Sequence, residues 1–113
     1  MTINEYQEAC LRTEPIDAKV SKTCRLENGL MGLCGEAGEA MDILKKFLFQ
    51  GHELDKKHLA KELGDVAWYL AVSADALGFY LEDIFQMNID KLRDRYPDGF
   101  DSERSVNRAE GDI

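Results

Sequence analysis

The chain has 113 residues, a hydrophobic fraction of 44% and a formal net charge of −8. That length suits a single domain, 1–113, with a small core, and marginal burial in a short chain is often completed by oligomerisation. The negative charge argues against a nucleic-acid backbone or an anionic membrane as partner, while a small phosphate ligand could still bind if metal ions carried the positive charge.

The N-terminal MTINEYQEAC lacks the basic and apolar regions of a signal peptide, and no apolar run reaches the length of a membrane span. Cys10, Cys24 and Cys34 are odd in number and show no Cys-x-x-Cys spacing, which reads as reduced core residues. A soluble, cytoplasmic protein is predicted.

Thr2 followed by Glu5 is a capping-box pattern, so a first helix is expected from Ile3 to Arg12 or Thr13, with Pro15 discouraging continuation. Residues 14–22 read either as a loop or as the start of a second helix. From Cys24 to Phe49 the apolar period is helical, but Gly29, Gly32, Gly35 and Gly38 recur at a spacing of three. Each costs about 1 kcal/mol relative to Ala in a helix. Either a backbone or a ligand approaches closely there, or the helix bends or breaks near Gly29 to Gly35.

The connection Gln50-Gly51-His52-Glu53-Leu54 is short and contains a glycine, which predicts an antiparallel return. Asp55 is the expected N-cap of a helix from Lys56 to Leu77, with Gly78 just past its end. After Asp65 this helix is apolar on nearly every side, so a second subunit is the expected cover for Trp68. The last helix, Leu81 to Arg95, ends at Tyr96-Pro97-Asp98-Gly99, and the polar tail 101–113 reads as mobile. The fold class is all-α: a helical bundle of about four helices, oligomeric, with a metal-binding antiparallel helix pair.

Two carboxylate pairs at one spacing stand out, Glu36 with Glu39 and Glu62 with Asp65. Residues three apart share a helix face, so each pair is a two-pronged acidic clamp. At 100° per residue Glu39 falls about 60° to one side of Glu36, and Leu33, Ala40, Leu44 and Phe47 lie about 20° to 80° to the other. Glu62, Asp65 and the stripe Leu59, Leu63, Val66, Leu70 repeat the arrangement. Both clamps should face one interior. At about 6 Å and an effective dielectric near 20, each like-charge pair costs roughly 3 kcal/mol. The six pairs among four acids would rival the stability of a small domain, about 5–15 kcal/mol. The cluster must therefore be partly protonated or hold a cation. All-oxygen ligands favour Mg²⁺ or Mn²⁺ over zinc, and neither segment carries the Glu-x-x-His of di-iron bundles; His58, one turn before Glu62, is the nearest exception.

The stretches GLCGEAGEAMDILKK, QGHELDKKHLAKELGDVAWYLA and NIDKLRDRYPDGF resemble MazG-type nucleotide pyrophosphohydrolases of the all-α NTP pyrophosphatase superfamily. That family's Glu-x-x-Glu, followed after a variable gap by Glu-x-x-Asp, is matched by Glu36, Glu39, Glu62 and Asp65, and the resemblance runs from Tyr6 to Phe100. It implies Mg²⁺-dependent hydrolysis of a nucleoside triphosphate between the α and β phosphates, giving a monophosphate and pyrophosphate in nucleotide-pool house-cleaning. It also implies a homodimer or dimer of dimers. Glu36 and Glu39 become the catalytic candidates, with Glu39 chosen as base by its position in similar enzymes.

A triphosphate needs partners beyond the metal. Lys46 lies near the line of Glu39, Lys91 and Arg95 are one turn apart on the last helix, Asn88 is one turn before Lys91, and Tyr69 is one turn after Asp65. Tyr6, Gln7, Arg12 and His52 are candidates for a base pocket, and Arg104 and Arg108 for a contact with a neighbouring subunit's substrate. Two other readings share the pattern: a phosphoribosyl-ATP pyrophosphohydrolase, and a non-catalytic helical dimer whose acids hold a structural cation or a partner protein.

Overall fold

The computed structural model describes residues 1–15 and 21–113, without the side chain of Lys22. Its elements are α1 (Ile3–Thr13), α2 (Lys22–Phe49), α3 (Lys56–Ala76), α4 (Leu81–Arg95) and α5 (Ser102–Val106), with no strand among the described residues. Of the undecided stretch 14–22, residues 16–20 lie outside those described. The chain forms two compact units, Met1–Leu81 and Glu82–Ile113.

In the first unit, α1 begins at the expected capping box, where the Thr2 hydroxyl accepts from the Glu5 amide and the Glu5 carboxylate accepts from the Thr2 amide. Its buried residues are Gln7 and Cys10. Gln7 is the link between α1 and the end of α3. Its amide nitrogen donates to the Ala71 and Phe79 carbonyls at 3.2 Å, and its oxygen accepts from the Leu81 amide at 2.9 Å. Those bonds spend the side chain on backbone groups, which corrects its assignment to a base pocket.

The α2 helix is continuous through all four glycines, so the broken-helix alternative falls away. A β-carbon at Gly29 would lie 2.2 Å from Ser73 Oγ, and one at Gly32 would lie 2.1 Å from the Tyr69 ring. These two glycines let α2 and α3 meet closely. A β-carbon at Gly35 or Gly38 would meet nothing within 4 Å among the described residues beyond its own helix. As α2 residue numbers rise from 29 to 32, their α3 partners fall from 73 to 69, which is the antiparallel register of a hairpin. Gly51, at φ +72°, makes the turn, and the His52 amide closes onto the Lys46 carbonyl at 3.2 Å.

The Asp55 carboxylate caps α3 by accepting from the His58 amide at 2.9 Å. At the other end Gly78, at φ +84°, closes a Schellman turn: its amide bonds Asp75 O, and that of Phe79 bonds Ala74 O, each at 2.9 Å. The core lies along the second half of α3, where Ala71, Val72, Ala74 and Ala76 are buried with Cys10 and Leu81. Cys24 and Cys34 are exposed, so only Cys10 fits the expectation of core cysteines. Arg25 of α2 joins Glu14 beyond α1 to Asp75 of α3. Trp68 is half-buried, and its indole N–H donates to Thr13 Oγ1 at 2.9 Å. Thus α1 supplies a partner that the sequence had assigned to a second subunit.

In the second unit, α4 is followed by a turn at Gly99, φ +92°, and by the short α5, whose N-cap Asp101 accepts from the Glu103 amide. The Arg95 guanidinium donates to both oxygens of Asp112 at 2.8 and 2.7 Å. The segment that composition reads as mobile is therefore folded back and held by a bidentate ion pair. Between the tail and α4 lies a cavity of about 700 Å³.

Candidate metal centre

The hairpin register brings one acid of α2 and two of α3 together. One carboxylate oxygen from each of Glu36, Glu62 and Asp65 lies within 4.8 Å of the others. Glu62 is buried, at 8% exposure, Glu36 is half-buried and Asp65 is exposed. The group thus sits at the edge of the seam, one side in protein and one side open. Glu39 is exposed, a turn along α2, and outside that tight trio.

The electrostatics of the trio are those of charges in excess. The Glu36 carboxyl is pushed up to about 7, by desolvation first, then by its hydrogen bond with Glu62, and then by the charges of Glu39, Asp65 and Glu62. Glu62 Oε1 is 3.0 Å from His58 Nε2. Its Oε2 is buried with no conventional donor among the described residues. A shared proton between Glu36 and Glu62 relieves part of this, and a bound cation would relieve more. Three carboxylates, one buried with a free lone-pair face, are the donor set of a hard divalent ion.

Around the trio, Tyr69 packs on Gly32 and meets Trp68 edge to face, with ring centroids 5.0 Å apart. Tyr6 of α1 has its phenol pushed up to about 12 by burial, by its contact with Cys10 and by the charge of Asp65. This tyrosine, which sequence offered only as a base-stacking candidate, thus lies within electrostatic reach of the acids. Lys46 is bound to Asp42 at 2.9 Å, one turn back on α2. His52 and Arg12 are exposed. In the second unit, Asn88 and Lys91 are exposed on α4, Lys91 and Arg104 line the cavity, and Arg95 is engaged by Asp112. The feature that sequence left undeveloped is the contact of His58 with Glu62, whose signal was their i, i+4 spacing on one helix.

Fold and site together define an all-helical protein with an acidic cluster between two antiparallel helices. The family model of the MazG nucleotide pyrophosphohydrolase domain matches residues 25–100, and the chain belongs to that family. It is 37% identical over 86 residues to the Gene 37 protein of Mycobacterium phage L5, covering 73% of this chain and 70% of that protein. No solved structure matches. Among the described residues no helix is long and apolar enough to cross a membrane.

Proposed function

We propose that the protein is a Mg²⁺-dependent pyrophosphohydrolase that cleaves a (d)NTP to the (d)NMP and pyrophosphate, in upkeep of a cytoplasmic nucleotide pool. The observation that carries this reading is Glu62, buried with an unpartnered oxygen beside Glu36 and Asp65, in a chain of the MazG family. Glu36, Glu62 and Asp65, joined by Glu39, would hold Mg²⁺ or Mn²⁺. When bound, the ion polarises phosphoryl oxygens and offsets charge on the leaving pyrophosphate.

The chain's own side chains do the rest. Glu36 and Glu39 are the catalytic carboxylates in this reading, and the exposed Glu39 accepts the proton of the attacking water. In the first unit Lys46 and Tyr69 supply donors to phosphate oxygens, and in the second unit Asn88, Lys91 and Arg95 carry donors of the same kind. For Lys46 and for Arg95 this means exchanging a carboxylate oxygen, of Asp42 and of Asp112 respectively, for a phosphate oxygen.

The active form in this reading is a homodimer or a dimer of dimers, with residues 1–113 acting as one domain. What supports it is the far side of α2. Met31 lies about 200° around the helix from Gly29, and Met31, Cys34, Gly38, Met41 and Leu48 form an exposed stripe at spacings of three, four and seven. Met31 and Met41 are 70% and 65% exposed. Such a stripe is the seam of a helix pair.

The test is a panel of NTPs, dNTPs and phosphoribosyl-ATP with Mg²⁺ or Mn²⁺, read by pyrophosphate release. Release from the dNTPs or NTPs by wild type but not by Glu62→Gln or Glu39→Gln is expected. Wild-type release no faster than Glu62→Gln would end the enzymatic reading, and release from phosphoribosyl-ATP alone would redirect it.

A further inference from the structure

Resting on that reading, we propose that His58 is the positioning residue of the metal centre, holding the buried carboxylate of Glu62 by one oxygen so that the other is presented to the cation. The contact joins His58 Nε2 to Glu62 Oε1 at 3.0 Å, one turn apart on α3. An ionised carboxylate oxygen has no proton to give, so Nε2 carries the hydrogen and the imidazole is the donor. His58 is itself placed by the start of the helix, where its backbone amide is capped by Asp55.

A glutamate has three side-chain torsions, and a metal ligand must be fixed in all of them to act without an entropic penalty. Burial at 8% exposure confines Glu62, and the contact with His58 Nε2 ties down one of its two oxygens, Oε1. It leaves Oε2 as the atom without a partner. His58 does not serve as a ligand here: its Nε2 is committed to the carboxylate, and the trio whose ligand atoms converge is Glu36, Glu62 and Asp65. The imidazole side chain is 55% exposed, so its removal leaves no buried void.

The experiment uses the full chain as wild type, His58→Ala and His58→Gln, since the amide nitrogen of Gln can replace Nε2–H as donor. Mn²⁺ affinity is measured by electron paramagnetic resonance, and pyrophosphate release is followed in parallel. His58→Ala should bind Mn²⁺ about tenfold more weakly, in the range seen for residues that orient metal ligands, and His58→Gln should stay within about twofold of wild type. Equal Mn²⁺ affinity in wild type and His58→Ala overturns the inference while leaving the enzyme reading intact, and so does a His58→Gln variant as weak as His58→Ala. A wild-type Mn²⁺ signal with directly bonded nitrogen, absent in His58→Ala, overturns it by making His58 a ligand. A wild-type chain that neither binds Mn²⁺ nor releases pyrophosphate overturns both.

Discussion

Gly29 faces Ser73 across the α2–α3 seam so closely that a β-carbon on the glycine would stand 2.2 Å from Ser73 Oγ and 3.3 Å from its Cβ. Ser73 is buried, at 4% exposure, so the serine has little room to retreat. Replacing Gly29 by Ala gains about 1 kcal/mol of helix propensity and loses about 1–3 kcal/mol to overpacking. Gly29→Ala should therefore be destabilised in urea titration. Gly35→Ala should instead be neutral or stabilised by up to about 1 kcal/mol within the isolated chain, because a β-carbon there would meet nothing within 4 Å among the described residues beyond its own helix.

The acid trio predicts an unusual pH dependence. Glu36 has its folded-state value raised from 4.5 to about 7 by desolvation, by its bond with Glu62 and by neighbouring negative charge. Between those two values the folded chain holds a proton that the unfolded chain has released, so stability falls as pH rises through this window, and the loss is complete above it. The metal-free protein should melt at a lower temperature at pH 8 than at pH 5.5 through this group. Mg²⁺ should raise the melting temperature more at pH 8, where it no longer competes with the proton. Calorimetry at both pH values, with and without Mg²⁺, checks it; an Mg²⁺ shift that is larger at pH 5.5 would refute it.

Gln7 offers a test of what holds α1 in place. Gln7→Leu keeps the volume near its original value but takes one partner from the Ala71 carbonyl, which keeps its helical bond, and the side-chain partner from the Phe79 carbonyl and the buried Leu81 amide. Leaving buried backbone groups unpaired costs about 1–3 kcal/mol each where water cannot reach them. A net loss of about 2–4 kcal/mol is expected. A base-pocket role would predict the opposite signature, normal stability with a raised KM.

The Arg95–Asp112 pair predicts local rather than global behaviour. Its two bonds join α4 to the second-last residue of the chain, and the Arg95 charge holds the Asp112 carboxyl below the usual carboxylate range. Asp112→Asn removes the charge and one acceptor from the fork. Amide exchange should accelerate in residues 102–113 while α3 stays protected. Unaltered exchange in the tail would mean that α5 holds it without the ion pair.

The local signals were the legible ones. The capping box at Thr2 and Glu5, the cap at Asp55, the glycine turn at Gly78 and the stop before Pro97 each act within a few residues, and the helices begin and end within a residue or two of where those signals place them. The pairing of Glu36 with Glu62 and Asp65 was legible for the same reason, because a short loop and a helical period are enough to set a hairpin face. Three features were not. The glycine run looks uniform in sequence, but the α3 side chains that split it into two crowded and two open positions are about forty residues away. Gln7 reads as a base-pocket candidate until three backbone groups 64 to 74 residues on converge upon it. The tail is polar in composition, and the Arg95 guanidinium that ties it back to α4 lies 17 residues before its partner Asp112.

Trp68 has a partner within its own chain. That partner is Thr13, so Trp68→Glu should lower stability by breaking α1 from α3 instead of producing folded monomers. The stripe of Met31, Gly38, Met41 and Leu48 points the other way from the seam, with Met41 65% exposed. A charge placed in the middle of such a stripe would be desolvated without a partner on association. Met41→Glu should therefore sediment as a monomer with helical content unchanged, and wild type as a dimer or larger. If Met41→Glu sediments like wild type, or wild type is itself monomeric, this face of α2 is not a subunit interface.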